Sequence, residues 1–218
     1  MGFCFGQKKI NQNKKLLLST RPKRNGFFKT ALRIAEPLAT ILKNRMNKIK
    51  TRLAEKKDAE YIALLARITF TETFGHFFRD RQDLLNYYDS TFSVEKIERS
   101  ISKSNNIYWI SFIDRLPVGY AKLKLNSKSE FIESENICQL QKIYVLKDFL
   151  SMKIGLELQN LLLEKAKELG FEKIWLSVLN SNERALNFYK KNGFEKIGNH
   201  DFQIGKENFD FMAMEKEL

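Results

Sequence analysis

The sequence predicts a mixed α/β (α+β) domain: a mostly antiparallel central sheet of six to seven strands with helices on both faces. Two observations support this prediction. Over residues 46–218, short runs rich in β-branched and aromatic residues are bounded by turn residues, which is typical of strands. Between them lie segments whose apolar residues recur three or four positions apart, which indicates helices. The predicted order, β-α-α-β-β-β-α-β-α-β-β, favours a sheet covered by helices.

The first half of the domain combines one strand, a helical region and a hairpin. Ile62, Leu65 and Ile68 recur at helical spacing after Asp58, which is a residue type that starts helices. Asp114 to Pro117 has the composition of a turn between two strands. The predicted elements are a strand at 49–53, a helix from Asp58, helical segments at 81–89 and 93–103, strands at 107–113 and 118–125, and a polar loop at 126–136.

The second half is organised around residues 137–170, which predict a strand, a tight loop and a helix that ends at Gly170 in a left-handed conformation. A loop that leads into a helix start presents unpaired N–H groups and favours a phosphate. A plain β–α unit packed in a core is the alternative. The other predicted elements are a strand at 174–178, a helix at 183–191 closed by Asn192-Gly193, and strands at 194–204 and 208–216 joined near Gly205.

The charge is concentrated in the first 45 residues. The chain carries a net charge of +12, but residues 1–45 hold 11 Lys and Arg against one acid. The rest holds 27 basic and 25 acidic residues. Nucleic acid is therefore not expected as a partner of the folded domain. Residues 1–45 are predicted to be a basic extension, either disordered, a targeting peptide, or no part of the native protein, with Met46 as the start of the domain.

Composition excludes several classes of protein. Cys4 and Cys138 form no Cys-x-x-Cys pair, so neither a disulfide framework nor a zinc site is predicted, and a reducing compartment, the cytoplasm, is expected. His76 and His200 are the only histidines, too few for a histidine-based metal cluster. No apolar run approaches the ~20 residues of a membrane span, so a membrane is not expected as a partner.

Two motifs in the second half carry the functional prediction. Residues 182–194 contain Asn182-x-x-Ala185 followed by Phe188-Tyr189-x-x-x-Gly193-Phe194. Residues 150–155 read Leu-Ser-Met-Lys-Ile-Gly. The chain resembles the GNAT superfamily of acetyl-coenzyme A-dependent N-acetyltransferases over residues 46–218. Residues 182–194 match one signature of that family in full. Residues 150–155 match the family's pyrophosphate loop, Gln/Arg-x-x-Gly-x-Gly/Ala, only at its last glycine.

The resemblance implies acetyl-coenzyme A as co-substrate, no metal, and direct attack by an amine in a ternary complex. It implies that the backbone of Ile143, Tyr144 and Val145 pairs with the pantetheine arm and offers an N–H to the thioester oxygen. Asn182 would bind the same arm or cap the helix, Lys191 would reach the phosphates or be solvated, and Tyr189 would protonate the leaving thiolate or merely pack. The implied pyrophosphate loop is Leu150, Ser151, Met152, Lys153, Ile154 and Gly155.

The sequence departs from the family at two places. Relatives often carry a Glu as general base on the central strand, where this chain has Gln139 and Gln141, which do not accept a proton at neutral pH. Glu72, Glu135, a water or Tyr144 would have to serve. Lys153 replaces a glycine that lets the backbone approach the ligand. A non-catalytic domain that binds coenzyme A is therefore an alternative to an enzyme.

The acceptor is predicted to be a small-molecule primary amine. The C-terminal strands resemble the PaiA-type branch, which acetylates spermidine and spermine. A polyamine needs carboxylates beside aromatic walls, and the expected acceptor residues are Glu72, Phe74, Tyr88 and Glu135. These acids are equally consistent with a solvated surface. A protein amine is the alternative acceptor, and a homodimer is left open.

Overall fold

The computed structural model describes residues 49–218, so the predictions for residues 1–45 and the start at Met46 lie outside the described residues. The strands are β1 (Ile49–Leu53), β2 (Asn106–Ile113), β3 (Leu116–Lys124), β4 (Ile137–Val145), β5 (Lys173–Leu179), β6 (Glu195–Ile204) and β7 (Glu207–Glu217). The α-helices are α1 (Ala59–Phe74), α2 (Arg81–Thr91), α3 (Val94–Ile101), α4 (Ile154–Glu168) and α5 (Glu183–Lys191).

The strands form one seven-stranded sheet in the order β1-β2-β3-β4-β5-β7-β6. Every neighbouring pair is antiparallel except β4 and β5, which run parallel. The predicted fold class is thus confirmed. The predicted order has two helices before β2, although a helix from Asp58 and helical segments at 81–89 and 93–103 were predicted. The structure has three helices there, and Ser93, which is extended (φ −70°, ψ 150°), separates α2 from α3.

Helices cover both faces of the sheet, and each face has its own core. Leu158 and Leu162 of α4 pack with Leu186 of α5 against one face. Ile62 and Phe70 of α1 pack with residues of α2 and α3 against the other. The alternation of β-strand side chains therefore assigns every functional residue of the sheet to the α4–α5 face or to the α1–α3 face.

The sheet splits in its middle. The ladder between β4 and β5 covers only Ile137 to Gln139 on β4 and ends at Trp175 on β5. Gln141 causes the split: Lys142 pairs with Lys122 and Leu140 with Leu123, so Gln141 is an extra residue without a partner, a β-bulge. A bulge bends its strand and disrupts pairing. The C-terminal part of β4 therefore diverges from β5 and leaves an opening through the sheet.

The hairpin of β6 and β7 is fixed to the loop between α1 and α2. Glu207 accepts from the Arg79 guanidinium at 2.9 Å, and the Lys206 ammonium donates to Asp80 at 3.1 Å. The Lys206 N–H donates to Asp83 at 2.9 Å. Gly205 at the tip has φ +57°, and a Cβ there would lie 2.2 Å from the Asp83 carboxyl carbon. The tip therefore requires glycine, and it closes one side of the α1–α3 face.

A chain that begins at Met46 should fold as the full chain does, because the seven strands and the two described cores lie within residues 49–218. The expected result is the same midpoint of denaturant unfolding and the same far-UV circular dichroism per folded residue. A free energy of unfolding lower by more than about 1 kcal/mol in the shorter chain would show that residues 1–45 stabilise the domain.

Candidate active site

A cleft of about 1170 Å³ passes through the split between β4 and β5. Its walls come from both faces of the sheet, because α1 contributes on one side and α4 and α5 on the other. Eleven of the predicted site residues line it, namely Glu72, Ile143, Tyr144, Val145, Leu150, Ser151, Lys153, Gly155, Asn182, Tyr189 and Lys191. The split thus gathers residues that are more than a hundred positions apart in sequence.

The backbone of β4 presents polar groups to the cleft. The Leu146 N–H donates to the Val118 carbonyl at 2.9 Å. In an antiparallel ladder hydrogen-bonded pairs alternate, so Tyr144 directs its backbone to β3, whereas Ile143 and Val145 direct theirs away, towards the opening. Because β5 does not pair there, these N–H and C=O groups are available to a ligand. Tyr144 lines the cleft, and its ring stacks on that of Tyr120 with 5.8 Å between the centroids. The role predicted for its backbone stays a prediction.

The loop after β4 leads into the N-terminus of α4, as the sequence predicts. A short 3-10 turn, Lys147–Met152, precedes Lys153, and the first α4 backbone bond runs from the Glu157 N–H to the Lys153 carbonyl at 3.0 Å. The N–H groups of the preceding residues have no partner within the helix. A Cβ on Gly155 would meet only Val145, at 4.0 Å. The protein therefore leaves open space beside Gly155, and a ligand can approach the backbone there because glycine has no side chain.

Lys153 occupies a strained position. Its φ is +60° and ψ +12°, the left-handed conformation that glycine adopts without cost. Glycine is the residue type that adopts this conformation most easily. Lys153 is exposed and lines the cleft, so its ammonium is available to a ligand anion.

Two predicted loop residues do not line the cleft. Ile154 is fully buried and packs in the core beneath α4. Met152 is partly buried and packs against the same core. Only the backbone N–H of Ile154, at the helix start, is placed to serve a ligand.

Four basic residues line the cleft: Lys147, Lys153, Arg184 and Lys191. Glu72 is the only acidic residue among the described residues that line it. Its carboxylate accepts from the Lys147 N–H at 3.2 Å, which ties α1 to the loop after β4. The positive excess suits a ligand with several phosphate charges.

Tyr189 lies on α5 with its ring buried between Phe188 and Phe194, whose ring centroids are 5.3 and 5.6 Å away. Its hydroxyl hydrogen-bonds to no other described residue, and the residue lines the cleft. Burial, and secondarily Tyr144, raises the pKa of Tyr189, so the phenol keeps its proton at neutral pH. A protonated phenol facing the cleft is suited to donate a proton.

Asn182 caps α5. Its side-chain oxygen accepts from the Ala185 N–H at 3.1 Å, which satisfies one orphan donor of the helix. The side-chain NH₂ is left for the cleft that Asn182 lines. The cap fixes the start of α5, and so the position of Tyr189 two turns later.

The positions of the usual catalytic carboxylate hold a neutral network. The Gln139 side-chain oxygen accepts from the Ser127 hydroxyl at 3.2 Å and from the Gln141 NH₂ at 3.4 Å. The Trp175 indole N–H donates to the Ser127 carbonyl at 2.7 Å. None of these groups takes up a proton at neutral pH.

Three of the expected acceptor residues lie outside the cleft. Phe74 is a core residue stacked on Phe70, with 4.5 Å between ring centroids. Tyr88 is buried and its hydroxyl contacts the Thr71 hydroxyl. Glu135 pairs with Lys128 at 2.5 Å on the exposed loop before β4. Phe70 and Phe74 therefore belong to the core, whereas Phe77 of the same aromatic stretch lines the cleft.

A polar stripe that was not predicted runs along the end of α1 and the 3-10 turn that follows it. Thr69, Thr73 and, in the 3-10 turn, His76 line the cleft together with Glu72. Positions 69, 72, 73 and 76 share one helix face, and this helical spacing of polar residues is the signal that would have found them. Also missed were Phe77, Lys147, Leu156, Leu179, Ser181, Arg184, Ala185, Phe188 and Asn192.

Comparison with known proteins now decides the family. Residues 68–194, more than half of the chain, match the acetyltransferase (GNAT) family. The chain belongs to the GNAT acetyltransferase family. It is an acetyl-coenzyme A-dependent N-acetyltransferase, as predicted.

Individual relatives are distant. An uncharacterized N-acetyltransferase from the pepI 3′ region of Lactobacillus delbrueckii subsp. lactis is 27% identical over 76% of this chain and 95% of its own. The PaiA N-acetyltransferase of Thermoplasma acidophilum, solved in complex with coenzyme A, has a TM-score of 0.62 and 24% identity, covering 78% of this chain and 99% of that one. Ribosomal-protein-alanine N-acetyltransferase of Brucella melitensis has a TM-score of 0.58 and 20% identity, covering 78% and 99%. These two structures share the fold.

Within residues 49–218 there is no group of three or more His, Cys, Asp or Glu side chains arranged to hold a metal ion. The helices of the same region are also too short or too polar to cross a bilayer.

Replacing Lys153 tests the strained position. Lys153→Gly should raise the free energy of unfolding by about 1 kcal/mol relative to Lys153→Ala, because alanine keeps the Cβ that disfavours a positive φ. Both variants lose the charge, so a loss of coenzyme A affinity that they share measures the contribution of the Lys153 ammonium to binding. Denaturant unfolding and calorimetry measure the two effects. Equal stability of the variants would contradict the strain.

Proposed function

We propose that the chain acetylates a primary amine by direct attack in a ternary complex. The observation that carries this proposal is the split sheet, which joins a cofactor-sized opening on the α4–α5 face to the α1–α3 face. Acetyl-coenzyme A supplies an activated acetyl group. The N–H groups of Ile143 and Val145, the start of α4 and the surrounding cations would hold it. The coenzyme A bound in the PaiA structure supports this assignment.

Different residues of the chain would stabilise the oxyanion, protonate the leaving thiolate and accept the proton of the amine. An N–H of Ile143 or Val145 would stabilise negative charge on the thioester oxygen. The Tyr189 hydroxyl would give its proton to the departing thiolate. The incoming ammonium must lose a proton, since its ordinary pKa is near ~10.4. Glu72 is the carboxylate on the cleft and would accept that proton directly or through water, whereas burial raises the pKa of Tyr144 and makes it a poor base.

The polyamine form of this proposal rests on Glu72 and on the likeness to PaiA. The other carboxylate expected around a polyamine, Glu135, pairs with Lys128 on an exposed loop. A protein amine remains the alternative acceptor, and the likeness to a ribosomal-protein-alanine acetyltransferase supports it to the same extent. We also propose the cytoplasm as the place of action, because Cys138 is a buried free thiol.

Acetyl-coenzyme A binding tests the function first. Calorimetry on the full chain should give saturable binding below millimolar concentration, and addition of a primary amine should release a free thiol. Binding without release for any amine would leave a coenzyme A-binding domain, the non-catalytic alternative. Absence of binding would end the enzyme proposal.

Tyr189→Phe tests the acid. Its kcat should fall roughly 10²-fold with nearly unchanged affinity for acetyl-coenzyme A, because the ring packing is kept and only the proton donor is lost. Tyr61→Phe is the control: it removes a phenol hydroxyl from an exposed residue of α1 that does not line the cleft. An unchanged kcat in Tyr189→Phe would show that Tyr189 only packs.

A further inference from the structure

Two lysines face each other on the α1–α3 side of the sheet. Lys122 on β3 is the register partner of Lys142 on β4, next to the bulge. Lys122 is 9% exposed, and Lys142 is partly buried. Like charges directly opposite each other in an antiparallel pair are destabilising, and a buried ammonium is costly unless it is paired. This arrangement therefore needs a reason.

Their surroundings offer no counter-ion. Within residues 49–218 no carboxylate lies within ion-pair distance of either ammonium. Lys122 donates to the Ser100 hydroxyl at 3.1 Å and lies 5.3 Å from the ring centroid of Tyr108. Lys142 lies 5.7 Å from that of Phe92. The walls are thus neutral and aromatic.

The surroundings of the two lysines lower the pKa of both ammonium groups. Loss of solvation, then repulsion by Lys142, Lys124 and Lys103, lowers the pKa of Lys122 to about 7. Loss of solvation lowers the pKa of Lys142 to about 8. An anion between them would restore both charges, since an opposite charge favours the ionised form.

The pair is close to the reacting centre. Lys142 and Tyr144 are two positions apart on β4 and share the face that looks towards α1. Residues so spaced on a strand are roughly 7 Å apart. Because Tyr144 lines the cleft, a group bound at Lys142 is separated from the cleft by the length of a short aliphatic chain.

We propose that Lys122 and Lys142 bind a carboxylate of the acceptor, so that the substrate is a small amine that also carries a carboxylate. This inference rests on the proposed amine acetylation and specifies its substrate class. It disfavours a polyamine, because a polycation repels the charge that the pair carries, whereas a carboxylate favours the charged form of both lysines. The carboxylate would lie at the lysines, and the amine would extend past Tyr144 towards Glu72.

Matched amines test the proposal on the full chain. Lysine is compared with cadaverine, and 4-aminobutyrate with butylamine, since each pair differs by one carboxylate; spermidine represents the polyamines. The carboxylated member of each pair should have a kcat/KM at least tenfold higher, and added salt should reduce the preference. Equal or better turnover of cadaverine, butylamine or spermidine would overturn the proposal while leaving the acetyltransferase function intact.

Variants assign the preference to the lysines. Lys142→Met and Lys122→Met keep the side-chain length without charge and should abolish the preference, while turnover of butylamine stays within about twofold. Lys142→Arg should retain it. Lys50→Met, an exposed lysine on the edge strand β1, is the matched control. A preference that survives in Lys142→Met contradicts the assignment. If Lys122→Met does not fold, Lys142→Met decides alone.

A binding measurement separates this inference from the proposed function. If no amine is acetylated, the proposed function is wrong. The inference is then judged by thermal stabilisation with 4-aminobutyrate against butylamine at equal ionic strength. Stabilisation by the carboxylated compound that is lost in Lys142→Met supports the site, and equal response of the two proteins overturns it.

Discussion

The loss of pairing between β4 and β5 is the constraint on which the site depends. A sheet normally satisfies its backbone groups internally, and a gap in its middle leaves N–H and C=O groups unpaired. Here the extra residue Gln141 bends β4 away after Gln139. The cost is tolerable only if a ligand or water pairs with the exposed groups of Ile143 and Val145. The split is thus both a defect of the sheet and the reason that a ligand binds in it.

The same split divides the site into two chemically different halves. On the α4–α5 face, backbone N–H groups and exposed cations suit phosphates and an amide-rich arm. On the α1–α3 face, polar residues between Thr69 and His76 line the cleft, and the aromatic surroundings of Lys122 and Lys142 lie on the same face of the sheet. In the proposed reaction the halves meet between Tyr144 and Tyr189. Both phenols have pKa values raised chiefly by burial, so both stay protonated there.

The sequence predicted what depends on local rules. Gly170 and Gly193 have φ values of +80° and +79°, and Asn182 caps α5, because these residues act through their own backbone or a neighbour three positions away. The split has no local sequence signal, since no residue type marks a bulge at Gln141. Phe74, Tyr88 and Glu135 were placed at the acceptor site by proximity in sequence, but tertiary packing decides which face of a helix or loop reaches the cleft. The Lys122–Lys142 pair was invisible for the same reason: its members come together only through the β3–β4 register.

The degenerate pyrophosphate loop follows from how the ligand would be held. Contacts made by backbone N–H groups need a conformation rather than a side chain, and Lys153 still adopts the left-handed conformation for which glycine is best suited. Strain of about 1 kcal/mol is small against the several N–H groups that the helix start provides. The cap at Asn182 requires a particular side chain, and so does the proton that we propose for Tyr189; both residues match the family motif. The departure from the family pattern therefore falls where backbone N–H groups would bind the ligand, and the match falls where side chains would act.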